Sequence, residues 1–341
     1  MNVRHDEMMQ FLNANLAAGF TVESLPGDAS FRRYHRIYMP VVSEVGQAQM
    51  SYLLMDAPPE KERVDEFVAV AQIMSEAVNV PDIIAKDMDR GFLLLQDFGT
   101  TEFAHLIAQD KANKDGYYTK ALHTLAQLQT ISTGVELPAY TDEKLATEMA
   151  LFTEWFLPYV GVELDEQAST LWQTLNQVLL KEIAKQPKVI VHRDYHSRNL
   201  MADKGSDELG VIDFQDAVIG AYTYDLVSLV RDAYIDENET WVNAKIQEFY
   251  QLIQPDTDLG SFIAQTNVMG VQRHLKVLGI FIRLSQRDGK NRYLADIPKV
   301  MKDLLAELAW LDEHTQETIY GEFLAWLNQV VLPAYQVKFK G

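Results

Sequence analysis

The run His192-Arg193-Asp194-Tyr195-His196-Ser197-Arg198-Asn199, followed later by Asp213, carries two carboxylates and an amide at spacings that suit phosphoryl transfer from ATP. That reaction needs a carboxylate beside the attacking hydroxyl and hard oxygen donors that hold Mg²⁺ on the phosphates. Asp194 is the candidate general base. Asn199 and Asp213 are the candidate metal ligands. One apolar run, Val189-Ile190-Val191, leads into the loop, and a second, residues 209–212, delivers Asp213. His192 reads as a structural residue that fixes the loop through backbone bonds. His196 could touch the acceptor or cap the loop. Asp225, in Thr223-Tyr224-Asp225-Leu226, opens a helix and is expected to hold the amides of the loop from below.

A triphosphate also needs cations and close backbone amides. The turn Pro26-Gly27-Asp28-Ala29-Ser30 has residues small enough for amides to approach phosphate oxygens, with Ser30 the candidate contact. Arg32, Arg33 and Arg36 follow at once. The apolar run that would carry a phosphate-gripping Lys reads Tyr52-Leu53-Leu54-Met55-Asp56-Ala57-Pro58-Pro59 and has none. Arg33 is the candidate replacement, with Lys61 the alternative and Glu66 a possible pairing partner. Gln96-Asp97-Phe98-Gly99 reads as a hinge whose Gln96 and Phe98 would face the nucleotide. Farther on, Arg273, Lys276 and Arg283 recur at spacings of three and four, roughly one helix face. With Arg231, they suggest an anionic acceptor or simple pairing with the surplus of acids.

The elements that must position these residues fall into two groups. Strands are predicted at 21–25, 31–38, 51–55, 82–85 and 91–95, with a helix at 63–78 before the last two. This is the order of a kinase N-terminal lobe. Helices are predicted at 101–111, 115–132, 142–159, 164–186, 222–235, 239–253, 259–287, 297–313 and 318–330, interrupted by a hairpin at 188–213. The expectation is an α+β, protein-kinase-like bilobal fold, with a nucleotide-binding sheet lobe over 1–97 and a helical catalytic and substrate lobe over 98–341.

The 341 residues are 48% apolar, enough for two buried cores. A net charge of −19 argues against nucleic acid as a partner, because phosphate backbones demand a basic surface. The absence of cysteine excludes disulfides and thiolate chemistry. The N-terminal residues do not read as a signal peptide, and no apolar run approaches a membrane span. A cytoplasmic protein with no membrane partner is expected.

The loop, with His at 196 and Asp213-Phe214-Gln215-Asp216 after it, resembles the aminoglycoside phosphotransferase and choline kinase superfamily. Within it, several segments resemble the bacterial N-acetylmuramate/N-acetylglucosamine anomeric kinases of cell-wall recycling. They are Gly27-Asp28-Ala29-Ser30-Phe31-Arg32-Arg33-Tyr34, Met55-Asp56-Ala57-Pro58-Pro59, Gln96-Asp97-Phe98-Gly99, the stretch 272–281 and Tyr293-Leu294-Ala295-Asp296-Ile297-Pro298. The resemblance implies ATP and Mg²⁺ as cofactors and phosphorylation of the C1 hydroxyl of an N-acetylated amino sugar. Asp194 then takes the base position, and Asn199 and Asp213 the metal positions. His196, Asp216, Arg231 and Arg273 are the candidate acceptor contacts. The missing Lys departs from the superfamily and fits the subgroup. Two other readings stand beside this one. A cationic acceptor of the aminoglycoside or choline type would suit the acidic chain, and a nucleotide-binding pseudokinase would suit the missing Lys.

Overall fold

The computed structural model describes residues 3–26, 31–40, 50–203 and 205–339. The chain forms two compact units. The first is Met1–Lys114 with Arg198–Asp216, and the second is Asp115–Ser197 with Ala217–Gly341.

The first unit holds α1 (Val3–Asn15), β1 (Thr21–Ser24), β2 (Arg33–Tyr38), β3 (Ser51–Asp56), α2 (Val64–Met74), β4 (Ile83–Asp87), β5 (Phe92–Gln96) and α3 (Phe103–Gln109). Its strands make one antiparallel sheet in the order β1-β2-β3-β5-β4. Leucine-rich β3 and β5 occupy the middle, where both faces can be covered. Met8, Phe11 and Leu12 of α1 pack with Ile37, Leu54, Phe92 and Leu94 on one face. In α2, Val64, Phe67, Val68, Ala71 and Met74 recur at helical spacing and are buried. The kinase-type sheet and the surrounding helices expected from the sequence are thus present.

Four short strands carry the candidate chemistry, namely β6 (Lys188–Val191), β7 (Leu200–Ala202), β8 (Leu209–Val211) and β9 (Val218–Ala221). The two apolar runs around the loop were expected to form one hairpin, but they are not partners. β6 pairs with β9, a segment with no strand predicted, and β7 pairs with β8. β9 reads Val-Ile-Gly-Ala, too short and too small to announce a strand. Residues 198–216 join the first unit through backbone bonds. Ala202 N–H donates to Thr101 O at 2.8 Å, and Val211 N–H donates to Asn79 O at 2.8 Å. Gly210 allows this docking, since a Cβ there would lie 2.4 Å from Phe98 Cδ2.

The second unit is helical around its β6–β9 pair. It holds α4 (Lys114–Leu128, beginning at the boundary residue), α5 (Asp142–Leu151), α6 (Leu157–Val160), α7 (Glu166–Ala184), α8 (Tyr224–Val230), α9 (Glu239–Ile253), α10 (Leu259–Asp288), α11 (Ile297–His314), α12 (Ile319–Trp326) and α13 (Leu332–Phe339). α10 is the spine, and its buried residues Val271, Leu275, Leu278 and Ile282 share one core with α5, α7 and α11. Asp258 caps α10, accepting from Ser261 N–H. Among the described residues no helix is long and apolar enough to cross a membrane.

Gly210→Ala is expected to lower stability by about 1–3 kcal/mol, because the added methyl overpacks the buried Phe98 ring. Denaturant unfolding measures it, and an unchanged midpoint would mean that the ring has room to move.

Candidate active site

In the second unit, β6 ends at Val191 and the chain turns sharply. Arg193 has φ +76°, a left-handed conformation uncommon for a residue with a Cβ. The turn is clamped from α8. Asp225 Oδ2 accepts the His192 N–H at 2.6 Å, and Oδ1 accepts the Arg193 N–H at 3.0 Å. Burial pushes the Asp225 carboxyl up to about 6, against the opposing pull of His192, these two amides and Arg273. His192 is buried and accepts the Asp194 N–H on Nδ1 at 3.2 Å. Beyond it, Tyr195 OH donates to Ala121 O at 2.8 Å, and the Ser197 N–H donates to Asp232 Oδ2 at 2.9 Å.

Asp194, half-buried, sits at the head of this turn. Burial alone would raise its carboxyl. Lys276 first, with His196, Arg273 and His192 nearby, outweighs burial and holds it at about 2. Behind it lies a polar cluster. Lys276 Nζ donates to Tyr224 OH at 3.0 Å and pairs with Glu148 at 3.2 Å. Glu148 also accepts from Arg193 Nη2 at 2.7 Å and from Tyr140 OH. Arg273 donates to Arg193 O and Tyr224 OH. Glu148, Tyr140 and Tyr224 were not picked out from the sequence. Glu148 lies one residue from core Met149 on α5, so its helix position alone reads as ordinary surface.

His196 meets the edge of Tyr234 at 5.4 Å between ring centroids. Tyr234 stacks on Phe281, and Phe281 packs on Tyr293. Arg231 lies elsewhere. Its guanidinium is 3% exposed and pairs with Glu239 at 2.7 Å, Glu307 at 3.2 Å and Asp303 at 3.7 Å. To reach an acceptor it would have to leave these partners.

The first unit carries the other candidates. Residue 199 sits just before β7 and 213 just after β8, and the Ile212 N–H donates to Asn199 O at 3.0 Å. The ladder therefore brings the side chains together, with Asn199 Nδ2 donating to Asp213 Oδ2 at 3.4 Å. Asp213 has φ +63°, and Gln215 Nε2 donates to its Oδ1 at 2.9 Å. Both side chains border a cleft of about 420 Å³ whose wall includes Leu53, Leu95, Gln96 and Phe98.

The β2 register sorts the arginines. Alternate residues point to opposite faces. Arg33 shares the face of Ile37, turned toward α1, and is exposed. Arg36 lies on the other face and lines the cleft. It donates to Asp97 at 2.7 and 3.2 Å and to Gly99 O at 3.0 Å, while Ser51 donates to Asp97 at 2.7 Å. The alternation Tyr34-His35-Arg36-Ile37, counted from buried Ile37, was the signal for this. Arg32 pairs with Glu62 at 3.2 Å and borders a smaller cavity with Lys61, Glu66 and Asp216. Ser30 lies outside the described residues.

A clamped loop bearing an ionised carboxylate, and a cleft edged by an Asn and an Asp, are parts of a phosphotransferase of the protein-kinase-like class. The comparisons agree. The family model described as "Phosphotransferase enzyme family" matches residues 21–258, and the chain belongs to that family. It is a kinase. The N-acetylmuramate/N-acetylglucosamine kinase of Pseudomonas putida is 42% identical over 283 residues, covering 80% of this chain and 79% of its own. The protein of the same name from Neisseria meningitidis is 39% identical over 294 residues, covering 84% and 85%. Among solved structures, an ADP-bound aminoglycoside phosphotransferase matches with TM-score 0.58 and 13% identity, covering 87% of this chain and 97% of its own. A choline/ethanolamine kinase family protein from Mesorhizobium loti matches with TM-score 0.60 and 14% identity, covering 94% and 98%. The resemblance seen in the motifs is confirmed.

Because its folded value lies below its ordinary 3.8, the Asp194 carboxylate contributes stability above about pH 4 that is lost as pH falls through about 2. A ¹³C NMR titration of the Asp194 carboxyl is expected to show a midpoint near 2. A midpoint at or above the ordinary value would contradict the charge arrangement.

Proposed function

We propose that this chain transfers the terminal phosphoryl group of ATP to an N-acetylated amino sugar, at the anomeric C1 hydroxyl. The relatives' names carry the acceptor class, since those alignments span most of both chains. The clamped, ionised Asp194 carries the chemistry.

In this reading Asp194 accepts a hydrogen bond from the acceptor hydroxyl, orients its oxygen toward the γ-phosphorus, and takes the proton as the new O–P bond forms and the γ-phosphorus separates from the bridging oxygen, which leaves with ADP. A carboxylate this acidic is a weak base. Most of its contribution is therefore orientation, consistent with a reaction governed by positioning and charge neutralisation. Asn199 and Asp213 offer the hard oxygens that Mg²⁺ prefers. Among the described residues no group of three or more His, Cys, Asp or Glu could hold a metal by itself. The rest of the ion's shell would come from phosphate oxygens and water, and when bound the ion would neutralise phosphate charge. Gln96 and Phe98 would face the nucleotide base. Arg36 is the cation that β2 places in the cleft, where it fixes Asp97 and Gly99. On the acceptor side, His196 would meet the sugar, with its ring set against the edge of Tyr234, which is backed by buried Phe281. Asp216 would complete the acceptor contacts.

Mg²⁺-dependent ATP consumption should rise when N-acetylmuramate or N-acetylglucosamine is added and should not rise with an aminoglycoside or choline. The opposite pattern would reject the sugar. Transfer to C1 abolishes the sugar's reducing power, whereas transfer to C6 preserves it, so a reducing-end assay decides the position. Asp194→Asn is expected to fold normally and lower kcat at least about a hundredfold. Full activity in that variant would remove Asp194 from the mechanism.

A further inference from the structure

We infer that Arg273 is a positioning residue that locks the Asp194 loop from behind, and that it makes no contact with the acceptor. The inference rests on the reading of Asp194 given above.

The backbone of Arg193 is held on both sides of its Cα. Its N–H goes to Asp225 Oδ1 at 3.0 Å, and its carbonyl accepts from Arg273 Nη1 at 3.0 Å. Its side chain is held as well, by Glu148 at 2.7 Å. That carbonyl belongs to the peptide joining residues 193 and 194, so any swing of it alters ψ of Arg193 and φ of Asp194, the two dihedrals that set how the loop leaves the turn. The left-handed φ of Arg193 is a strained conformation that persists only where the surrounding bonds hold the backbone on both sides of its Cα. Asp225 restrains only the amide side. The 193–194 peptide is held at its N–H by His192 Nδ1 at 3.2 Å, and Arg273 supplies the second point by holding its carbonyl.

Arg273 is itself fixed. The same Nη1 donates to Tyr224 OH at 3.1 Å, and its guanidinium carbon lies 5.3 Å from that ring's centroid. Tyr224 is fully buried and also receives Lys276. The Arg273 side chain is 7% exposed. An arginine that forks onto an acceptor carboxylate needs an open planar edge. This one is buried and commits Nη1 to the loop carbonyl and to Tyr224 OH.

The two sugars separate the roles. N-acetylmuramate carries a lactyl carboxylate that N-acetylglucosamine lacks. A contact to that carboxylate would show as a higher KM for N-acetylmuramate alone, whereas a positioning role lowers kcat for both sugars equally. In Arg273→Gln, kcat is expected to fall about a hundredfold with either sugar, with each KM within about twofold of wild type. Hydrogen exchange of the 192–197 amides, measured without substrate, should speed up about tenfold. Arg273→Lys, which keeps a donor, should recover part of both effects. Tyr224→Phe removes the hydroxyl that orients Arg273 and should shift both readouts the same way by a smaller factor, which covers the case of a poorly folded Gln variant. A KM rise confined to N-acetylmuramate, or unchanged exchange with unchanged kcat, would overturn the inference. If the wild-type chain turns over neither sugar, the acceptor reading fails, and the exchange rates still judge the clamp.

Discussion

Asp225, a carboxylate buried at the start of α8, receives two consecutive amides from the chain that leaves β6, and the working loop takes its shape from that contact. A residue with a Cβ costs roughly 1–2 kcal/mol in the left-handed basin. Hydrogen bonds to a charged group contribute about 1.5–3 kcal/mol each. Two of them outweigh the strain at Arg193 and hold the turn that presents Asp194. After the turn, the loop is anchored again where Tyr195 OH bonds to Ala121 O and the Ser197 N–H bonds to Asp232.

Charge in this acidic chain is arranged rather than merely abundant. Lys276 and Arg273 are gathered with Arg193 and Glu148 behind Asp194, and Lys276 and Arg273 help to hold down a carboxyl that burial pushes up. A second buried cluster joins α10 to α11, where His274 bonds to Glu307 at 2.7 Å and burial pushes its imidazole down to about 3. Arg231 and Lys299 supply the positive charge there. Buried ion pairs are weak sources of net stability, yet removing one partner typically costs about 3–5 kcal/mol. Such clusters fix geometry more than they add stability. The first unit uses the same device on a smaller scale at Arg36, Asp97 and Ser51.

Much of this was legible in the sequence, for identifiable reasons. The strand and helix order could be read because β3, β5 and α2 have long, regular apolar patterns. The role of Asp225 could be read because an Asp at a helix start beside a polar loop has few tasks. The pairing of β6 with β9 could not, because strands of four residues carry too little pattern. The arginines on β2 were separable only by counting faces from Ile37, and the helix-face spacing of Arg273 and Lys276 gave no hint that both point into the protein. Glu148, Tyr140 and Tyr224 stayed hidden because a buried polar residue on an amphipathic helix looks like its exposed counterpart until its partners are known.

The most direct test of the account is the turnover rate of Asp225→Asn at a temperature where the variant remains folded. Asn keeps the size of the side chain and offers only one carbonyl, so one loop amide would face an amino group. The account predicts a kcat lowered about a hundredfold or more. A rate within about twofold of wild type would contradict it, since the Asp194 loop would then hold its working shape without the carboxylate on which its geometry is argued to depend.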